Sequence, residues 1–173
     1  IGSVAYLSKR LDLLKNSLIC GFNLSCVGDE RSYSHIKSRL GNNLADKALN
    51  SSLISLENVI EYSFLHRGSD ERQYCAPGID LPVCTFCRSK FGSYPEYHTS
   101  GDNFTVLSKK GLKGSLKVFF EIIEGLENSF KKPIAKFECE PQMGKRNLYD
   151  NTSIKTSILK GDTICQRKTN KNG

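Results

Sequence analysis

Apolar residues open the chain at spacings of three and four. Val4, Leu7, Leu11, Leu14 and Leu18 recur, with Lys9, Arg10, Asp12 and Lys15 between them. That period predicts an amphipathic helix over residues 3–16. The pattern then changes: Leu18 to Val27 (LICGFNLSCV) is ten residues without a charge, the composition of a strand in a sheet covered on both faces. Gly28-Asp29-Glu30 ends it in a turn. Residues 34–50 predict a short helix interrupted at Gly41, with Ser34 capping one piece and Leu44, Ala45, Ala48 and Leu49 lining the other. Leu53–Leu56 and Val59–Leu65 read as strands, and Leu81–Phe86 as a central one. Ser108 opens the longest periodic segment, which runs to about Phe130. Leu112, Leu116, Phe119, Phe120, Ile123, Leu126 and Phe130 form one broad apolar stripe, and Lys109, Lys110, Lys113 and Lys117 keep to the other side. Gly111 and Gly114 each weaken that helix by about 1 kcal/mol relative to Ala. Pro133–Phe137 reads as a last strand, and no regular period follows Gly144.

The order helix, strand, helix, strand, strand, helix, strand predicts an α/β domain, a mixed β-sheet flanked by helices. Some connections are too short for a crossover helix, so the sheet cannot be purely parallel. With 173 residues, 38% of them hydrophobic, the chain can bury a single core. No apolar run reaches the roughly 20 residues a membrane span needs, so no membrane association is expected. No basic-then-apolar leader opens the sequence, which begins at Ile1 and reads at once as structured. These features predict the later part of a longer protein.

Charge placement divides the chain. The formal net charge is +7, and residues 144–173 hold seven basic against two acidic residues, a net of +5 that leaves +2 for residues 1–143. The expected organisation is a domain over 1–149 and a basic, flexible tail over 150–173. A nearly neutral body argues against a nucleic-acid face on the folded part. The cysteine count, seven at spacings that form no framework, predicts free thiols in a reducing, cytoplasmic compartment.

Candidate chemistry concentrates between Arg67 and Asn103, where polar loops bracket the central strand. His98 lies in a polar loop between Tyr97 and Thr99, with Asp102 four positions on. A neutral imidazole is the commonest transition-metal ligand, and a carboxylate on the other ring nitrogen would fix its tautomer. An ordinary loop histidine fits the same spacing. Asp29, just past a strand's carboxyl end, stands where α/β proteins hold ligands, and equally where a turn needs its amides satisfied. Asp70, Glu71 and Arg72 form a charge cluster or a solvated loop. His35 and His66 read as structural. Cys84-Thr85-Phe86-Cys87 is a CxxC, but in a strand positions three apart face opposite ways, so two independent buried thiols are expected.

The runs Gly68-Ser69-Asp70, Gly78-Ile79 and Tyr97-His98-Thr99-x-x-Asp102 resemble the C-terminal part of zinc-dependent aminopeptidases, where an SDH-like element, a GI(P) turn and a YHTxxD loop close the metal site. The longer string GSDERQY-APG-LPV-R-YPEYHTSGDN is similar to a bacterial aminopeptidase-like family, a domain of unknown function with a zinc exopeptidase core. So are Gly21 to Leu24, Cys26 to Asp29 and Glu140 to Arg146. The resemblance covers residues 1–149 and implies part of a zinc-exopeptidase (phosphorylase/hydrolase-like) fold. It implies His98 as a zinc ligand, with Asp70, Arg72 and Tyr74 shaping the pocket and Asp102 orienting His98. It places the general-base Glu and most ligands upstream, so that no catalytic residue lies within this chain. Ser25 stands where two-zinc relatives carry Asp, which implies one zinc ion unless Asp29 substitutes. Glu71 stands where the SDH-like element has His. The implied function is a fragment of a hydrolase acting on peptide or related amide bonds, inactive without the missing N-terminal part of the same protein. The alternative is a noncatalytic remnant or binding module whose basic tail contacts anionic polymers.

Overall fold

A computed structural model of the chain describes residues 1–129 and Lys145. Helix α1 (Gly2–Ser17) leads into strand β1 (Gly21–Leu24). Then come β2 (Tyr33–Ile36), α2 (Leu44–Leu53), β3 (Val59–Tyr62), a 3-10 turn at Phe64–His66, the short α3 (Glu71–Tyr74), β4 (Val83–Cys87) and α4 (Lys109–Ser129). The four strands form one mixed sheet in the order β1-β4-β2-β3. β1 runs parallel to β4, β2 parallel to β3, and β2 antiparallel to β4. The mixed α/β sheet with flanking helices is the architecture the element order predicts.

β4 is central and buried at every position. Because side chains alternate along a strand, it divides the interior. Cys84 and Phe86 join Ala45, Leu49 and Leu53 of α2 and Val118 and Ile122 of α4 in one cluster. Val83 turns to the other side, where Leu7 of α1, Cys75 and Leu81 gather with Leu11, Leu14 and Tyr74. Cys87 packs with Ile36 and Phe91. The CxxC is therefore two separate buried thiols. Burial pushes Cys87 up to about 12 and Cys84 well above its ordinary value, so neither supplies a thiolate near neutral pH.

Three expectations are corrected. Residues 33–36 form strand β2 rather than a helix start, and Ser34 donates its hydroxyl to the Arg88 carbonyl instead of capping. The helix begins later, at a capping box: Asn43 accepts from the Asp46 amide while the Asp46 carboxylate accepts from the Asn43 amide. Leu53–Leu56 is the end of α2 and a turn, not a strand, because Leu53 still lies on the buried helical face. The third concerns α4. Its buried residues are Gly111, Ser115, Val118 and Ile122, a face rotated from the apolar stripe. Leu112, Leu116, Phe120 and Ile123 remain 49–58% exposed. Small residues turn inward because the helix lies against the β1–β2 loop: Ser108 donates its amide to the Gly28 carbonyl, and Ser115 its hydroxyl to the Val27 carbonyl.

Phe130, the Pro133–Phe137 strand, the boundary at 149 and the basic tail lie outside the described residues. No helix among the described residues is long and apolar enough to cross a membrane.

Candidate functional site

Two loops meet at the end of the sheet where the parallel strands β1 and β4 finish: residues 25–32, and residues 88–108 before α4. Strand carboxyl ends are where open α/β sheets place ligands. The loops are laced together. Arg31 forms a forked ion pair with Glu96, at 2.7 and 3.1 Å, and its guanidinium holds the Glu96 carboxyl below the usual range. Tyr94 donates to the Cys26 thiol at 3.4 Å. Burial, and then that contact, raise the Tyr94 hydroxyl above its ordinary value, with Asp102 adding to the effect. Glu30 accepts from Ser108 at the start of α4, and its carboxyl is held down by Ser108 and Lys110.

His98 rides on this platform. Its backbone φ is +59°, a left-handed conformation uncommon outside Gly, which Asn, Asp and His adopt more often than other side chains. Its ring stacks on Tyr97 at 4.0 Å between centroids, and Tyr97 in turn contacts Phe91 and Tyr94. The imidazole is exposed, and neither ring nitrogen has a hydrogen-bond partner among the described residues. Asp102 is exposed, and no hydrogen bond joins it to His98 among the described residues.

Asp29 is 5% exposed. Its carboxylate accepts from the Arg31 amide at 2.9 Å and from the Ser89 amide and hydroxyl, both at 2.8 Å. It thus satisfies turn amides and binds one loop to the other.

Asp70, Arg72 and Tyr74 gather elsewhere, around α3. Asp70 accepts from Ser3 of α1 at 3.0 Å. Tyr74 packs among Leu7, Cys75 and Leu81, and burial followed by the charge of Asp70 raises its hydroxyl. Arg72 is exposed, with no side-chain partner among the described residues. Gly68, at the entry to this region, lies close to the Phe91 ring, which an added Cβ there would meet, and Phe91 packs against Tyr97.

The chain matches, over residues 1–129, a family model described as a domain of unknown function, DUF4910. It belongs to that family. A Clostridium acetobutylicum protein named as a candidate polysaccharide biosynthesis protein with an aminopeptidase-like domain is 39% identical over 152 residues, covering 86% of this chain and 34% of that protein. A crystal structure of a candidate peptidase from the same organism superposes with a TM-score of 0.74 at 36% identity, covering 83% of this chain and 34% of the other. The chain spans about a third of the length of these relatives. Aminopeptidase-like membership therefore stands.

Two residues that organise this region of the family member carried little signal in the sequence. Glu71 is fully buried and accepts from the Gly68 and Ser69 amides and from Asn23 of β1. It ties the Gly68–Asp70 turn to the sheet, a role visible only once Asn23 is beside it. Arg88 is 4% exposed and stacks on Tyr33 at 3.6 Å. Its Nε and Nη1 have no hydrogen-bond partner among the described residues. A second group with ligating chemistry, His35, Asp46 and Cys84, lies in the core with its donor atoms within 4.8 Å of one another. Asp46 is already the acceptor for His35, for the Ser38 amide and hydroxyl, and for the Asn43 amide. The cluster holds the start of α2.

Proposed function

We propose that this chain is the part of a zinc-dependent aminopeptidase-like hydrolase that carries one metal ligand, His98, and that the full protein cleaves peptide or related amide bonds. The observation that carries this reading is the His98 ring: exposed, stacked on Tyr97, held in a left-handed backbone at the strand ends, and with both nitrogens free of protein partners among the described residues. A donor presented this way fits zinc. Asp29 does not add a second donor readily, because three hydrogen bonds already occupy its carboxylate, which favours one ion. When bound, zinc supplies a Lewis acid for the scissile carbonyl and a water acidified toward pKa 7.

The residues of this chain then have distinct tasks. His98 holds the metal through one ring nitrogen. Tyr97 sets the ring plane, and the Arg31–Glu96 and Asp29–Ser89 contacts keep the loop at the strand ends. On this reading Arg72, exposed on α3, borders the substrate pocket, with Asp70 and Tyr74 behind it, held by Ser3 and by the Leu7 cluster, and Asp102 orients His98. The general-base Glu and the remaining ligands come from the rest of the full-length polypeptide.

The test is metal content and turnover of aminoacyl-nitroanilides by the full-length protein and by its His98→Ala variant. The expected result is about one zinc per chain in the parent, and a loss of at least tenfold in zinc affinity in the variant with its melting temperature kept. Unchanged zinc binding in the variant sinks the assignment. Zinc-dependent turnover by the 173-residue chain alone would contradict the expected origin of the base.

A further inference from the structure

The hydrogen bonds around His35 fix how many protons its ring carries. His35 lies on β2, fully buried, and stands directly opposite Glu61 of β3 in the parallel ladder. Its Nε2 is 3.2 Å from Asp46 Oδ1 and its Nδ1 is 3.1 Å from Asn50 Oδ1, both on α2. Asp46 is a carboxylate, held below its ordinary value by the hydrogen bonds it receives against the opposing effect of burial. Its oxygens only accept, so Nε2 must carry a proton. The orientation of the Asn50 amide is decided by its other partner. That side chain also hydrogen-bonds the Glu61 carboxylate, which only accepts too. The NH2 group is therefore spent on Glu61, and the carbonyl oxygen is left facing His35. Nδ1 must then donate as well. A neutral imidazole has one N–H and one lone pair, and cannot meet both oxygens.

The charges around the ring agree with two protons. Asp46 is 2% exposed, and its other donors, Ser38 and Asn43, are neutral. An imidazolium supplies the cation that a buried carboxylate needs beside it. Glu61 stands 4.0 Å from Nδ1 and is also ion-paired with Lys37. From β4, Cys84 completes the cluster as a neutral thiol, because burial pushes it well above its ordinary value.

We propose that His35 is a buried imidazolium that locks α2 to the β2–β3 pair, and that the lock opens when the ring gives up a proton. The proton that leaves is the one on Nδ1, since its acceptor is a neutral amide while Nε2–H faces a carboxylate. It passes to water, and the electron pair it leaves on Nδ1 faces the Asn50 oxygen. Asn50 must then turn, which breaks its bond to Glu61. Protons held in excess by the folded state make stability fall as pH rises. The same assignment keeps a metal out of the His35, Asp46 and Cys84 cluster, because neither ring nitrogen has a lone pair to give. None of this rests on the zinc reading of His98.

The test is nuclear magnetic resonance of the full-length protein carrying isotope-labelled histidine, with proton–nitrogen correlations through the ring. His35→Gln identifies the His35 signals, and Asn50→Asp, at an exposed helix position, identifies them by displacement if the first variant does not fold. Both His35 nitrogens are expected to bear hydrogen at about pH 7. Either nitrogen without its proton, whether as a lone pair or bound to a metal, overturns the proposal. Urea midpoints between about pH 5 and pH 8 give a second reading. The midpoint should fall with rising pH in the parent, the fall should move to higher pH in Asn50→Asp, which offers Nδ1 a charged acceptor, and to lower pH in Asn50→Leu, which offers none. Identical pH profiles for the three proteins overturn the lock.

Discussion

Gly111 separates two opposed effects within one helix. On propensity alone, Gly111→Ala should stabilise α4 by about 1 kcal/mol. The tertiary structure reverses the sign. A Cβ at Gly111 would overlap the Gly28 carbonyl oxygen and stand 2.5 Å from that of Asp29. An ordinary carbon–oxygen approach is about 3.3–3.6 Å, so helix and loop must separate by roughly an ångström. Both obstacles are backbone atoms, and the loop is tethered. Gly28 accepts from the Ser108 amide, Val27 from the Ser115 hydroxyl, and Asp29 from Ser89. Overpacking of this kind costs about 1–3 kcal/mol. Gly125, in the same helix, has nothing within 4 Å of an added Cβ, so Gly125→Ala should gain close to the full propensity term. Comparing the two variants cancels that term. Gly111→Ala should be less stable than Gly125→Ala by about 1–3 kcal/mol in urea unfolding followed by far-UV circular dichroism, with equal m-values. A Gly111→Ala variant as stable as Gly125→Ala refutes the close packing of α4 on the loop.

The buried carboxylates yield further outcomes. Asp29→Asn should cost about 1–3 kcal/mol by leaving a Ser89 donor unsatisfied, with zinc content of the full-length protein unchanged; loss of zinc would instead mark Asp29 as a ligand. Glu71→Gln places an amide NH2 against either the two loop amides or Asn23, and a destabilisation of similar size is expected, read as a lowered urea midpoint; no change would remove its role as the tie to β1. For Asp46, burial acts to raise the carboxyl, but the hydrogen bonds from His35 and Ser38 outweigh it and the net shift is downward from 3.8. A depressed folded-state value contributes stability that is complete above the unfolded value and is lost as pH falls through the folded one. Acid titration of stability should therefore steepen below about pH 4 and flatten in Asp46→Asn, and identical profiles would exclude this coupling. The forked Arg31–Glu96 pair is exposed, so Glu96→Gln should change stability by less than about 1 kcal/mol, in thermal melts at low and high salt alike; a larger loss would mean that the pair carries the loop.

Much of the fold was legible because periodicity reports which positions are sheltered from water. The α1 period, the single long α4 and the central β4 all follow from it. Where small or polar residues are buried, the signal misleads. Tyr33-Ser34-His35-Ile36 forms a strand although Ser34 and His35 are polar, because Arg88 O and Asp46 receive their hydrogen bonds. In α4 the apolar stripe was plain, but the buried face is rotated from it, because only Gly and Ser let the helix approach the loop. The site divides the same way. His98 stood out as a candidate by its motif. The commitment of Asp29 to Ser89, sixty residues away, and of Glu71 to Asn23 was not.

By itself the sequence determined the α/β class, the burial of both thiols in Cys84-x-x-Cys87, and family membership through local strings. These properties depend on short-range period and on residue identity. The tertiary structure alone decided which face of α4 packs on the β1–β2 loop, that Asp29 ties one loop to another and Glu71 a turn to β1, and that β1 is an outer strand of the four described. Each of these depends on a neighbour distant along the chain, and hydrogen bonding and close packing act between whatever atoms the fold brings together.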